Sequence, residues 1–450
     1  MTRPPDGHPR GARASAYARA GITVLRVSGP NVPAIARALA GELPTARYAS
    51  LRDFRDEQGA VIDTGVLLFF PGPGSFTGED VLEVQAHGGA MVCEMLLERL
   101  QQLGARLAEP GEFARRAFLN DKLDLGQAEA IADLIDSGSR AAARAAQRSL
   151  SGRFSELVFG LNEQVTRLRV YVEAALDFPE EEIDFLDDAA LAAQLEQLRS
   201  AFDHLASTLR QGVLLRDGAQ VVLAGRPNAG KSSVLNALVG YDAAIVSEIP
   251  GTTRDIVREQ LDLDGLPLHI IDTAGLRDRA DQVEAEGMRR TRAQLETADH
   301  ALLVVDCTTD WASTVAELQA ELPPALDYTV VVNKIDLANF APGPGAERHQ
   351  VFVSATHGSG LPALAARLME RLGFEHPGEG TVIARQRHVD AVKRARGSFD
   401  AGVRQLAEQK AGELLAADLL DAQNALAEIT GEFTSDDLLG EIFGSFCIGK

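Results

Sequence analysis

A short apolar strand that runs directly into a glycine-rich loop constrains this 450-residue chain more than any other feature. Residues 221–232 read Val-Val-Leu-Ala-Gly-Arg-Pro-Asn-Ala-Gly-Lys-Ser, a strand followed by the pattern G-x-x-x-x-G-K-S. Backbone N–H groups of such a loop point inward at phosphate oxygens, and the helix that follows directs its positive end at the same anion. We therefore expect Lys231 to reach the β- and γ-phosphates of a nucleotide and Ser232 to offer its hydroxyl to Mg²⁺.

Three downstream motifs, each at the end of an apolar strand, indicate which nucleotide binds. Asn-Lys-Ile-Asp at 333–336 places a carboxylate, Asp336, where it can accept two N–H bonds from guanine, a donor pair that adenine lacks. Ser-Ala-Thr at 354–356 suits a backbone contact to the base carbonyl. Asp-Thr-Ala-Gly at 272–275 offers an aspartate for a Mg²⁺-bound water and a glycine N–H for the γ-phosphate. Together the four motifs predict a GTP site at the carboxyl edge of a parallel sheet.

The segment 249–255, Ile-Pro-Gly-Thr-Thr-Arg-Asp, is typical of a switch that γ-phosphate and metal order and that hydrolysis releases. Thr253 is the predicted second hydroxyl ligand of Mg²⁺, beside Ser232. The predicted GTP-binding residues are Asn228, Ala229, Gly230, Lys231, Ser232, Ser233, Ser247, Glu248, Ile249, Pro250, Gly251, Thr252, Thr253, Asp272, Thr273, Ala274, Gly275, Asn333, Lys334, Asp336, Ser354, Ala355 and Thr356.

The side chain that orients the attacking water in Ras-like proteins is absent, because Leu276 rather than glutamine follows Gly275. Glu284 is the nearest plausible carboxylate for that role, although an acidic residue there also fits a solvated helix start. No arginine finger can be identified. Asn228, inside the loop, can instead help to bind a monovalent cation that supplies the missing positive charge.

Composition restricts the class of protein and its partners. The net charge of −21, from 44 basic and 65 acidic residues, argues against a protein that coats nucleic acid. No apolar run is long enough for a membrane helix. The three cysteines, Cys93, Cys307 and Cys447, are too widely spaced for a metal site, and a reducing cytoplasm fits best.

The pattern along the chain predicts a multidomain α/β protein with a doubly wound P-loop domain inserted into a helical domain. The predicted parts are an N-terminal α+β domain (1–122), a first helical part (123–215), the GTPase domain (216–375) and a second helical part (376–450). Within the N-terminal α+β domain we expect strands at 22–28, 61–70 and 81–86 and helices at 32–39 and 90–103.

Several of these stretches resemble the MnmE (TrmE) family of tRNA modification GTPases. The resemblance covers residues 21–450, and it rests on the loop at 225–232, Pro-Gly-Pro-Gly-Ser-Phe-Thr-Gly-Glu-Asp at 71–80, Pro-Gly-Glu-Phe at 110–113 and the final Phe-Cys-Ile-Gly-Lys. It implies a folate-binding and dimerising N-terminal domain, a helical domain and an inserted GTPase domain. It also implies a heterotetramer of two such chains with the flavoprotein MnmG, acting on the wobble uridine of tRNA.

The implied chemistry adds an aminomethyl or carboxymethylaminomethyl group to C5 of that uridine. The cofactors would be GTP, Mg²⁺, K⁺ and a tetrahydrofolate derivative (5-formyl or 5,10-methylene). Carried over by motif, the folate contacts are Arg26, Glu83, Lys122 and Lys450, and the K⁺ ligands are Asn228, Ser247, Ile249 and Thr252. The implied catalytic residues are Glu284, which positions water, with Lys231 and Cys447.

The role of Cys447, the structure of residues 1–20 and the function itself need separate comment. Cys447 can be a thiol that acts near folate and uridine or a small buried hydrophobic residue. Residues 1–20 lack the family's first strand and are expected to be disordered. A GTP-dependent ribosome-assembly switch, without chemistry on RNA, is the alternative function.

Overall fold

The computed structural model describes residues 9–13, 20–177, 189–242, 258–272, 295–347, 349–376, 378, 380–432, 436–446 and 449. Thirteen predicted site residues lie outside these ranges: Ser247, Glu248, Ile249, Pro250, Gly251, Thr252, Thr253, Thr273, Ala274, Gly275, Glu284, Cys447 and Lys450. The chain divides into two compact units, Met1–Ala132 with Leu150–Gln194 and Arg394–Lys450, and Asp133–Ser149 with Leu195–Lys393.

The strands are β1 (Arg10–Arg13), β2 (Ala20–Ser28), β3 (Ser50–Arg55), β4 (Val61–Phe70), β5 (Val81–Gly88), β6 (Arg106–Leu107), β7 (Ala219–Ala224), β8 (Arg258–Leu263), β9 (Leu266–Asp272), β10 (His300–Asp306), β11 (Tyr328–Asn333), β12 (Gly343–Pro344) and β13 (Gln350–Phe352). The helices are α1 (Val32–Ala40), α2 (Ala90–Gln102), α3 (Glu112–Leu119), α4 (Leu125–Ile135), α5 (Arg140–Leu150), α6 (Arg153–Asp177), α7 (Ala189–Asp217), α8 (Lys231–Asp242), α9 (Trp311–Glu321), α10 (Leu361–Arg371), α11 (Gln386–Gln409), α12 (Gly412–Thr430) and α13 (Asp436–Gly444). None of these described helices has the length and apolar character needed to cross a membrane.

The first unit is built on a six-stranded sheet of order β3-β4-β5-β2-β1-β6. Successive strand residues point to opposite faces, so the apolar positions of β2 and β5 gather on one face, where α1 and α2 cover them. Leu25 and Val84 are fully buried there. The strands and helices predicted within 1–122 are confirmed, with ends that differ by at most two residues.

The prediction that residues 1–20 contain no strand was wrong. β1 pairs antiparallel with β2 and parallel with β6, and so lies inside the sheet. The polar composition suggested disorder, but Arg10 is buried and its Nε donates to Glu112 Oε1 at 2.5 Å. A charge buried with a partner of opposite sign is tolerated in a sheet, and composition alone does not reveal the partner.

The C-terminal helix packs on the start of the helical region of the same unit. Phe443 and Phe446 join Ala114 and Leu125 in one apolar cluster. Gly111, at φ +63°, makes this close approach possible, because a Cβ there would lie 2.5 Å from the carbonyl oxygen of Phe443. α6 and α12 pack along each other in the same unit.

The second unit contains a seven-stranded sheet of order β12-β13-β11-β10-β7-β9-β8. Its five central strands are parallel, and the edge strands β8 and β12 are antiparallel. α8 and α10 contribute to the core on one face, and α9 contributes to the core on the other. The fold is therefore a doubly wound α/β sheet, as predicted, and its parallel strands end at a common edge.

Candidate functional site: a nucleotide cradle and a second polar site

The loop between β7 and α8 has the backbone conformation that a phosphate cradle requires. Asn228 and Gly230 have positive φ, +63° and +93°. A Cβ on Gly230 would lie 2.3 Å from Asn333 Nδ2, so glycine is required there on two counts. α8 begins at Lys231, and its first-turn hydroxyls, Ser232 and Ser233, are exposed.

Lys231 lies within this loop. Its side chain is buried, and its Nζ donates to the carbonyl oxygens of Gly225 at 3.0 Å and Arg226 at 3.2 Å. The ammonium is thus held at the centre of the loop, with the N-terminus of α8 beside it. Both features attract a phosphate, so the local electrostatics suit the predicted ligand.

Asn333 connects the phosphate loop to the predicted base-binding loop. It is buried, its Nδ2 donates to the Ala229 carbonyl at 3.2 Å, and its Oδ1 accepts from the Ala355 N–H at 3.1 Å. The Ala355 N–H belongs to the segment 354–356 that suits a backbone contact to the base carbonyl, and it donates to Asn333 in this structure. One amide side chain therefore links its own motif, Asn-Lys-Ile-Asp, to two of the other three predicted motifs.

The carboxylate that is predicted to bind the base is also held by a hydrogen bond. Asp336 lies on a single 3-10 turn after β11, and its Oδ1 accepts from Ser354 Oγ at 2.5 Å. This hydrogen bond is the main reason that the pKa of Asp336 is lowered. Asp336 stays ionised and acceptor-only, which is the state that guanine recognition needs.

Sequence reasoning missed Asp306. It is the last residue of β10, and its carboxylate binds Lys334 Nζ at 2.6 Å, while the same Nζ donates to the Asn228 carbonyl at 2.7 Å. Burial raises the pKa of Asp306, but hydrogen bonds from Lys334 and Thr308 outweigh burial and lower it. Its position at the end of an apolar strand was the available signal, since the other site residues share it.

Asp272 ends β9 directly opposite Leu223, the last strand position but one before the phosphate loop. This register brings Asp272, the first residue of the Asp-Thr-Ala-Gly motif, to the same edge of the sheet as the loop. Of the predicted Mg²⁺ and K⁺ ligands, Ser232 and Asn228 are the two among the described residues.

Three of the four predicted folate contacts lie in the first unit around the loop 71–80. Arg26 and Glu83 are direct cross-strand neighbours on β2 and β5, and Arg26 Nη2 lies 2.8 Å from Glu83 Oε1. The Arg26 guanidinium also lies over the Phe76 ring, 5.6 Å from its centroid. Lys122 Nζ donates to the Pro73 carbonyl at 3.1 Å.

Largely buried hydrogen bonds and an ion pair also hold the loop 71–80 in place. Glu79 Oε2 accepts from Ser28 Oγ at 2.8 Å and from Arg116 Nη1 at 2.6 Å. Asn120 Nδ2 donates to the Thr77 carbonyl at 2.6 Å. These hydrogen bonds fix the loop, which carries Phe76, between strand and helix.

The chain is similar to known proteins over nearly its whole length. The family model described as MnmE helical domain matches residues 125–447, and the model described as GTP-binding protein TrmE N-terminus matches residues 11–122. The chain is 53% identical over 447 residues to a tRNA modification GTPase MnmE of Marinobacter nauticus, covering 98% of each chain. It is 52% identical over 450 residues to that of Proteus mirabilis and 54% identical over 441 residues to that of Alkalilimnicola ehrlichii, again covering 98% of each.

Proposed function

Because the chain belongs to the MnmE (TrmE) family of tRNA modification GTPases, we propose that it hydrolyses GTP in the modification of the tRNA wobble uridine. The group added to C5 would be aminomethyl or carboxymethylaminomethyl, with its carbon taken from a tetrahydrofolate. The observation that best supports the GTPase activity is the pair of hydrogen bonds by which the Asn333 side chain connects Ala229 of the phosphate loop to Ala355.

Four described residues of the nucleotide site have assigned roles in this proposal. Lys231 neutralises charge on the β- and γ-phosphates, and Ser232 is a ligand for Mg²⁺ together with Thr253. Asp336 selects guanine, and Ser354 holds its carboxylate at a fixed angle. Bound Mg²⁺ would offset the developing phosphate charge.

The hydrolytic step needs a residue that positions water and a positive charge at the phosphates. We assign the first role to Glu284, because Leu276 stands where the usual water-orienting glutamine would be. We assign the second to K⁺ held by Asn228, Ser247, Ile249 and Thr252, because the sequence identifies no arginine finger. Asn228 supports this assignment, since its positive φ and exposed side chain leave its amide oxygen accessible at the edge of the loop.

For the folate half we propose that the pterin lies against Arg26 and Glu83. A carboxylate accepts the pterin N–H groups, and basic side chains such as Lys122 and Lys450 suit the glutamate tail. The already paired Arg26 fixes the Glu83 carboxylate in place. Phe446 packs with Ala114 and Leu125 in one apolar cluster. We propose, as the family resemblance implies, that the thiol of the next residue, Cys447, acts near the folate.

The partners we propose are a second copy of the chain, the flavoprotein MnmG and tRNA. Two phosphate loops brought together by dimerisation would complete the GTPase sites. The chemistry at C5 would take place in the complex with the flavoprotein.

Mass spectrometry of wobble uridines after deletion of the gene tests this function. We expect loss of the C5 substituent and its return when the wild-type gene is restored. Unchanged substitution, with a defect in ribosome assembly instead, would favour a GTP-dependent assembly switch without chemistry on RNA.

The folate half has a separate test in direct binding of 5-formyl-tetrahydrofolate. Arg26→Ala should weaken this binding by on the order of tenfold or more, because it removes the cation that holds Glu83. Arg37→Ala is the matched control, since Arg37 is an exposed arginine whose Nη1 donates to a carbonyl of its own helix turn. Equal folate affinity in both variants would remove Arg26 from the site.

A further inference from the structure

The proposed activity leaves one strongly charged surface without a role, the exposed face of α5. Residues 137–155 contain four arginines and no acidic residue, in a chain with 65 acidic and 44 basic residues. Such a run is unusual for this chain, because its overall charge of −21 opposes the binding of nucleic acid.

The helix presents these arginines on a single side. Arg140, Arg144 and Arg148 are four residues apart, so they lie along one face with a rise of about 6 Å between neighbours. The opposite face, with Ala142, Ala145, Ala146 and Ser149, is buried. Ala145 and Ala146 belong to the core of the second unit, so the basic face is fixed on a rigid element.

The arginines of this face differ from other exposed arginines in their pairing. Arg153 and Arg167 each bind a glutamate of their own helix. Arg140 and Arg144 are exposed and have no hydrogen bond or ion pair with the described part of the chain. Their guanidinium groups are therefore available for an external anion.

The third arginine adds to the positive field. Arg148 is half-buried, and its Nε donates to the Thr381 carbonyl. Its pKa is lowered, first by burial and then by the nearby charge of Arg144. Two like charges at close range favour any bound anion that reduces their repulsion.

We propose that Arg140 and Arg144, supported by Arg148, form a contact surface for the phosphate backbone of the tRNA substrate. This inference rests on the proposed function. The planar guanidinium fork matches two phosphate oxygens, which makes arginine the preferred residue for this contact. Exposed Gln147 lies on the same face and can donate to a phosphate or a sugar hydroxyl.

Fluorescence anisotropy of a labelled, unmodified tRNA transcript, titrated with the full chain at several KCl concentrations, tests the inference. We expect R140A/R144A to bind on the order of tenfold more weakly at low salt. The slope of log K against log salt should fall in magnitude by about 2, because each variant arginine would otherwise neutralise one phosphate. R140K/R144K should keep most of the slope, because it keeps both charges.

The control variant is R167A/R394A, which removes the same charge from exposed arginines already paired with Glu163 and Glu428. It should leave both affinity and slope unchanged. GTP turnover and the unfolding midpoint should match the wild type in all three variants. If R140A/R144A has a lower unfolding midpoint than the wild type, the salt slope of R140K/R144K still distinguishes a charge contact from a folding defect.

Wild-type affinity and slope in R140A/R144A would overturn the inference. Loss of flavoprotein binding with normal tRNA binding would also overturn it and would assign the face to a protein partner. If the wild-type chain binds no tRNA at low salt, the inference fails, whereas the wobble-uridine measurement still decides the proposed function.

Discussion

Replacement of Gly230 by alanine tests whether the phosphate loop depends on the Asn333 bridge. Gly230 has φ +93°, and an added Cβ would lie 2.3 Å from Asn333 Nδ2. The alanine would therefore strain the backbone and force Asn333 to rotate. That rotation would break its hydrogen bonds to Ala229 and from Ala355.

The cost can be worked out from these interactions. Positive φ costs a residue with a Cβ about 1–2 kcal/mol. Each of the two broken hydrogen bonds costs about 1 kcal/mol. The lower entropy of alanine in the unfolded chain offsets about 0.5–1 kcal/mol. The free energy of unfolding of this unit should therefore fall by about 2–3.5 kcal/mol. GTP affinity should fall by at least about tenfold, because the loop N–H groups move.

The chain's only tryptophan reports on this unit. Trp311 begins α9 and packs edge-on against Phe352, with ring centroids 6.3 Å apart. Urea unfolding of the full chain, followed by tryptophan fluorescence, therefore measures the nucleotide-binding unit. Fluorescent GTP analogues measure the change in affinity separately.

Gly240→Ala is the matched control, because Gly240 lies in α8 and an added Cβ there has no neighbour within 4 Å among the described residues. It should raise the free energy of unfolding by about 0.5–1 kcal/mol, since alanine is the better helix former. A Gly230→Ala variant with wild-type midpoint and GTP affinity would refute the role we give to Asn333.

Three further predictions concern the nucleotide-binding unit. Asp336→Asn should shift base preference from guanine toward xanthine in competition binding, and unchanged preference would place the base pocket elsewhere. Replacing K⁺ with Na⁺ should lower GTP turnover strongly, whereas equal rates in both salts would remove Asn228 from the mechanism. His300, fully buried, has its pKa lowered from 6.5 to about 4, chiefly by burial. Below about pH 6.5 this histidine is protonated in the unfolded chain but stays neutral in the folded unit. The free energy of unfolding is therefore highest above that pH and falls by up to about 3 kcal/mol toward pH 4. His300→Gln should flatten this pH dependence in urea unfolding, and an unchanged profile would assign the acid sensitivity to another group.

The nucleotide-binding fold was predictable because its signals are local. Each signal occupies a few consecutive residues: the phosphate loop, the motif with the carboxylate predicted to bind guanine, and the other motifs at strand ends. The strands before them are plain apolar runs. The predicted strand ahead of Asp336 is confirmed at Tyr328–Asn333. Local pattern alone therefore located this edge of the sheet.

Features that depend on distant partners were not predictable. β1 was missed because Arg10 is stabilised by Glu112, about a hundred residues away. The pairing of Lys334 with Asp306 was missed for the same reason, since neither residue reveals its neighbour by spacing. The contact between Arg26 and Glu83 depends on the register in which β2 pairs with β5. A shift of that register by one residue would separate the two side chains.

The packing of Phe443 and Phe446 on Ala114 sets the timing of folding during synthesis. These residues are roughly 330 positions apart in one apolar cluster. At about 5–20 residues per second, the ribosome adds the last of them roughly 15 to 65 s after Ala114. In that interval the surface around Ala114 and Leu125 remains uncovered, so the nascent chain is exposed to aggregation or chaperone binding until its final residues emerge.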